Sequence, residues 1–192
     1  MHFIDKIYTN TLEVKQSKFI TYLTPYAEFN KTLASLKEEH PKARHFVTAT
    51  RHFNEYNQIV ESSSDDGEPK GTSGKPSLMV LQGAKTINIA VIIVRYFGGT
   101  KLGTGGLVRA YSDAVNFLLD KSELIEYKEE VLTEIALAYT NIGKVEHLCS
   151  EYNIEIVNKA FDIDAKFTIK STKKDLDDFM CKAQRLVLTL NS

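Results

Sequence analysis

Between residues 95 and 111 the chain reads RYFGGTKLGTGGLVRAY. Five of the protein's ten glycines, Gly98, Gly99, Gly103, Gly105 and Gly106, fall within nine residues here, interleaved with Lys101 and flanked by Arg95 and Arg109. An apolar stretch ends at the first glycine pair and an amphipathic pattern begins after the last, so the glycines occupy a junction from strand through loop to helix. Such a junction turns several backbone N–H groups toward the space ahead of the helix, where the helix dipole adds to the attraction for an anion. Phosphate binding is the chemistry this segment supports: glycine admits a close approach to the backbone, and the three cations supply charge. The letters match neither G-x-x-x-x-G-K-[ST], because Thr104 and Gly105 follow Gly103, nor G-x-G-x-x-G, because Val108 stands at its last position. A single tight turn needs fewer glycines than this, since each costs conformational entropy. The segment reads as a surface that a partner's phosphate or backbone approaches.

A second candidate is SDDGEPKGTSGKP at residues 64–76, which places Asp65, Asp66 and Glu68 within four residues. Carboxylates grouped in this way suit a hard cation such as Mg²⁺, and a metal-dependent hydrolase or phosphotransferase is the chemistry that would follow. No EF-hand spacing accompanies them, and Asp with Gly also makes ordinary turns. His45 and His52 bracket a predicted strand seven residues apart, on opposite faces, which suits two ligands of one metal poorly. Ser73 lacks the G-x-S-x-G spacing of a nucleophile elbow. Tyr96 and Phe97 adjoin the glycine segment, and Phe53 and Tyr56 follow Arg51; aromatic rings beside cations are what single-stranded nucleic acid stacks on. Adjacent strand residues point to opposite faces, so one of Tyr96 and Phe97 is expected inside and the other outside.

Composition bounds these readings. With 43% hydrophobic and 26% charged residues and a formal net charge of −1, the chain is that of a folded protein without a global basic field. Residues 64–111 nonetheless hold six cations against three carboxylates, a local excess that suits a polyanion. Cys149 and Cys181 lack the paired spacing of a zinc site and are expected as reduced core residues. MHFIDKIYTN has neither the basic nor the apolar region of a secretory signal, and IAVIIV at residues 89–94 is too short to span a membrane. No membrane association is expected, and a cytoplasmic location is the default.

The elements that must position these residues follow from periodicity. Residues 14–23 read as one strand, 28–39 as a helix stopped by Pro41, and 45–50 as a strand with NQIVESSS as another or its edge. SLMVLQGA favours a helix. INIAVIIVRYF is apolar on both faces, the pattern of a central strand covered on each side. Leu107, Ala110, Tyr111, Ala114, Val115, Leu118 and Leu119 mark an amphipathic helix after the glycines. From about residue 132 the order is β-α-β-β-α-β, the ferredoxin-like plan. The expected fold class is α+β in two domains, 1–130 and 131–192.

Taken together, SDDGEPKGTSGKP, INIAVIIV and RYFGGTKLGTGGLVRAYSDA resemble the YigZ/IMPACT family over essentially the whole chain. The matching positions are Asp65, Asp66, Gly67, Glu68, Pro69, Gly71, Thr72, Gly74 and Pro76 in the first loop, and residues 95–111 in the second. The resemblance implies an N-terminal β-α-β domain like the second domain of a small-subunit ribosomal protein, a fold also seen in domain IV of elongation factor G. It also implies a C-terminal ferredoxin-like domain similar to that factor's last domain. Eukaryotic members of the family regulate translation and carry an additional N-terminal partner-binding domain, whereas this chain resembles the bacterial branch without it.

The expected function is a non-enzymatic, translation-associated binding protein with RNA or the ribosome as partner, or else a protein partner in translation control. The alternative is the Mg²⁺-dependent enzyme on Asp65, Asp66 and Glu68. The expected ligand face comprises Arg95, Tyr96, Gly98, Gly99, Lys101, Gly103, Gly105, Gly106 and Arg109 with Asp65, Asp66, Glu68, Gly71, Thr72 and Gly74. No cofactor and no resident metal are expected, and no motif specifies an oligomeric state.

Overall fold

The structure, a computed structural model, describes residues 1–191, and the side chains of residues 1–188. Two units divide at residues 127 and 128: Met1–Tyr127 and Lys128–Ser192. The first contains β1 (His2–Phe3), β2 (Tyr8–Val14), β3 (Ser17–Pro25), α1 (Phe29–Glu39), β4 (His45–Phe53) and β5 (Ile59–Ser64). It continues with α2 (Gly74–Gly83), β6 (Ile89–Tyr96), α3 (Thr104–Leu119) and β7 (Ile125–Glu126). Its main sheet runs β2-β3-β6-β4-β5, with every neighbouring pair antiparallel, while β1 and β7 pair separately.

Strand β6 is central, and seven of its eight residues are buried. Its residues sort by parity onto two faces. Ile89, Val91 and Ile93 join Leu81 of α2 and Leu107, Tyr111 and Val115 of α3 in one core, while Ile92 and Val94 pack with Leu36 of α1 in another. Helices on both sides explain why this strand is apolar at every position instead of alternating.

The strand expected at residues 14–23 is instead the turn and half of a hairpin. β2 and β3 are joined at Lys15 (φ 46°) and Gln16 (φ 66°), two consecutive left-handed residues of the kind a two-residue hairpin turn demands. Glycine or asparagine normally supplies that conformation, so these letters carried no turn signal. The tip of the hairpin lies on Gly98, where a Cβ would overlap the backbone of Gln16 and Ser17. Close approach thus accounts for Gly98.

The second unit contains β8 (Glu130–Leu137), α4 (Ile142–Glu151), β9 (Glu155–Phe161), β10 (Ala165–Thr172), α5 (Lys173–Ala183) and β11 (Val187–Asn191). Its antiparallel sheet runs β11-β8-β10-β9, the ferredoxin-like arrangement. Ile135, Phe167 and Ile169 of the sheet pack against Val145 and Cys149 of α4 and Phe179 of α5. Burial, with Glu146 adding to it, pushes the Cys149 thiol up to about 11, so it remains an inert thiol. Cys181 departs from expectation: it is exposed, on the outer side of α5 two residues from buried Phe179 and Ala183. No helix among the described residues is long and apolar enough to cross a membrane.

Two glycine substitutions separate architecture from surface. Gly98→Ala is expected to lower the unfolding free energy in urea by about 2–3 kcal/mol, the scale of a forced overlap in a packed region. Gly105→Ala meets nothing within 4 Å of its new Cβ and should leave stability unchanged or raise it by up to about 1 kcal/mol. Equal losses in the two variants would contradict this distinction.

Candidate functional site

The three carboxylates of the first loop go three different ways. Asp65 turns toward the start of α2: its Oδ1 accepts from the Ser73 amide (3.1 Å), the Ser73 hydroxyl (2.7 Å) and the Gly74 amide (2.8 Å), and its Oδ2 from the Gly71 amide (2.7 Å). The chain's own carboxylate thereby occupies the N-terminus of α2, a place where an external anion would otherwise be stabilised. Gly74 belongs to this arrangement, since a Cβ there would lie 2.7 Å from the Ser64 carbonyl. Asp66 accepts from the Phe46 amide (2.6 Å) through Oδ2, and its carbonyl accepts from His45 Nδ1 (2.8 Å). Thr72, buried, donates to the Pro69 carbonyl (2.7 Å) and closes the turn.

Glu68 turns inward. Its side chain is 4% exposed and Oε1 accepts from both Arg95 Nη1 and the Tyr111 hydroxyl (2.8 Å). Arg95, expected as a surface phosphate ligand, is itself 7% exposed and ion-paired with Glu68, because it shares the parity of Val91 and Ile93 and so sits on the face of β6 that α2 and α3 cover. Its Nη2 reaches the Ser17 hydroxyl at 3.5 Å, and the Gly98 amide donates to the same oxygen at 3.2 Å. Burial first, and then the Glu68 charge, push the Tyr111 phenol far above its ordinary range, so it stays protonated and donates. His45 Nε2 lies 4.0 Å from Glu68 Oε1, whereas His52 stacks on Tyr26 at 3.6 Å, so the two histidines do not converge. Among the described residues no three His, Cys, Asp or Glu side chains group as metal ligands.

The glycine segment forms the open side of this buried cluster. A pocket of 360 Å³ is lined by Glu68 and Pro69 from the first loop and by Arg95, Phe97, Lys101 and Leu102 with the start of α3 from the second. Both motif loops therefore share one pocket. Gly103 caps α3 with φ 74°, no side chain caps it, and no acidic residue stands in its first turn. The Thr104, Gly105 and Gly106 amides have no intrahelical acceptor at this end, in contrast to the filled terminus of α2.

Not every expected residue takes part. Tyr96 lies on the α1 face of the sheet, hydrogen-bonded to His40 Nδ1 (3.0 Å), and the exposed member of the aromatic pair is Phe97. Arg109 lines a different, smaller depression with Lys15 and Asp113, one that Lys101 does not line. Tyr111 and Ser17 line this cluster although the sequence reading did not select them, and His45, weighed there only as a metal ligand, stands 4.0 Å from Glu68. Only Tyr111 offered a signal: a phenol on the core face of a helix needs a buried partner.

Asp65 carries a consequence for acid stability. Burial alone would raise its carboxyl, but the hydrogen bonds from Gly71, Ser73 and Gly74 outweigh burial and hold it below the ordinary carboxylate value. A folded-state value below the unfolded one, about 4, means a stabilisation that is complete above pH 4 and is lost as pH falls toward the folded value. Urea unfolding at pH 7 and pH 3 should show Asp65→Asn less stable than wild type by about 1–3 kcal/mol at pH 7, with the gap narrowing at pH 3. A gap that is constant with pH would remove the carboxylate from this role.

Comparison with known proteins agrees with this layout. The model of the Impact N-terminal domain matches residues 15–119, and that of a domain of unknown function, DUF1949, matches residues 135–185. An IMPACT family member of Haemophilus influenzae is 38% identical over 170 residues, covering 87% of this chain and 82% of the relative. The IMPACT family member YigZ of Escherichia coli is 39% identical over 154 residues, covering 78% of this chain and 74% of its own. A crystal structure described as that of a hypothetical protein superposes on 100% of this chain and 96% of its own with a TM-score of 0.66 and 30% identity. By the matched domain over its first unit and by these relatives, 38% and 39% identical over most of both chains, the chain belongs to the IMPACT family.

Proposed function

We propose that this protein is a non-enzymatic, translation-associated binding module whose first unit takes single-stranded RNA through phosphate contacts at the start of α3. The observation that carries this reading is the uncapped α3 terminus: first-turn amides without acceptors, no acidic side chain in that turn, and exposed Lys101 at the rim of a pocket. Gly105 adds to it. This residue has ordinary helical φ and open space around it, so neither strain nor packing calls for glycine, yet alanine would suit a helix better by about 1 kcal/mol. A Cβ in the first turn leans toward the helix N-terminus, into the space a phosphate would occupy. The translation link rests on the family resemblance to eukaryotic regulators.

No observation favours the hydrolase or phosphotransferase reading. Both oxygens of Asp65 accept from the chain's own donors, Glu68 Oε1 accepts from Arg95 and Tyr111, Asp66 Oδ2 accepts from the Phe46 amide, and among the described residues no three His, Cys, Asp or Glu side chains group as metal ligands.

Binding of labelled single-stranded RNA across a salt series tests the proposal. Lys101→Ala should weaken binding and reduce the salt slope by about 0.7–1 unit, the value for one lost phosphate contact. Gly105→Ala should weaken binding without loss of stability. Unchanged affinity and slope in both variants would overturn the assignment of α3 as the phosphate site.

A further inference from the structure

The geometry points to the 360 Å³ pocket as the seat of a single nucleoside 5′-phosphate, either free or as one unit of a strand. This rests on the reading that α3 takes phosphate, and it names what lies beyond the phosphate. The volume falls within the usual range of small-ligand sites, about 300–1,000 Å³.

Four observations fit that chemistry. Lys101 lines the pocket together with Gly103 and Thr104, where α3 begins, and a cation with a helix N-terminus suits a phosphate. Phe97 stands at the pocket, 53% exposed. The Arg95 guanidinium, 5.8 Å from its ring centre, holds one face and leaves ring surface for a flat partner. Apolar Pro69, Leu102 and Leu107 complete the wall, as a base requires.

The fourth observation is a buried polar group without a partner. Arg95 lines the pocket with its side chain 7% exposed, and its Nε–H has no acceptor although Nη1 and Nη2 are both engaged. A buried donor left unpaired is costly, and Arg95 carries that cost in a residue of the pocket wall. The Glu68 charge in the pocket lining is offset by its ion pair with Arg95.

Calorimetric titration of the intact protein with adenosine, guanosine, cytidine and uridine 5′-monophosphates tests the inference. Inorganic phosphate and the unphosphorylated nucleosides serve as separate arms. At least one monophosphate should bind at least about tenfold more tightly than its nucleoside or phosphate alone. Phe97→Ala should weaken it about fivefold or more, the effect of one lost base stack, with an unchanged unfolding midpoint, and Phe97→Tyr should restore it.

Competition with single-stranded RNA separates the two sources of the ligand. Displacement of bound monophosphate by RNA supports the pocket as the seat of one unit of a strand. Monophosphate binding that RNA does not displace supports a free nucleotide and overturns the RNA reading instead. RNA binding that depends on Lys101 without any monophosphate binding, or monophosphate binding indifferent to Phe97→Ala, overturns the pocket assignment and leaves the RNA reading standing. Binding of neither overturns both.

Discussion

A guanidinium inside the first unit sets the terms for everything around it. Arg95 is placed on the α2 and α3 face of β6 by strand parity, and a charge there is tolerable only if paired and hydrogen-bonded. Glu68 supplies the countercharge, which obliges the first motif loop to fold back 27 residues along the chain. The Tyr111 phenol supplies a further donor to the same carboxylate from 43 residues away, and Ser17 receives the other guanidinium nitrogen. Replacing such a pair by apolar residues is often close to neutral, whereas removing one partner strands a buried charge. Its contribution is therefore largely positional: it ties the first loop, β3, β6 and α3 to one point, and the pocket forms above that point.

The two helix N-termini next to this point use the same physics with opposite results. At α2 the chain brings Asp65 to the first-turn amides and neutralises the terminus internally. At α3 it brings glycines, threonine and a lysine, with no internal acceptor. The capped terminus of α2 gives the first loop a structural role, and the terminus of α3, without a side-chain cap, gives the second loop the recognition role in the proposed function. Gly98 and Gly105 show the same division within a single segment: one makes room for the hairpin tip, and the other has no packing reason to be glycine.

Much of the architecture was legible without coordinates because it rests on local periodicity. The all-apolar letters of residues 89–94 indicate a strand covered on both faces, the stripe from Leu107 to Leu119 a helix, and the alternation after residue 132 the β-α-β-β-α-β order. Local letters carry no signal at two places. Lys15 and Gln16 take left-handed turns that neither residue favours, so the first hairpin was hidden. Cys181 lies on an amphipathic helix whose buried positions are Phe179 and Ala183, and two residues from each it falls on the opposite side of the helix.

The sequence by itself determined which elements form and where the unusual chemistry lies, since hydrophobic period, glycine density and charge are properties of short windows. Tertiary structure alone decided which of those groups remain available. Asp65, Glu68 and Arg95 look alike on paper as surface charges, but long-range packing turns all three toward the protein's own donors and acceptors. Tyr96 and Phe97 are equivalent neighbours in the sequence, and only the placement of α1 and α3 on opposite faces of β6 assigns one to His40 and the other to the pocket. The physical reason is that burial and hydrogen-bond partnership are set by segments tens of residues apart, whose meeting no local pattern records.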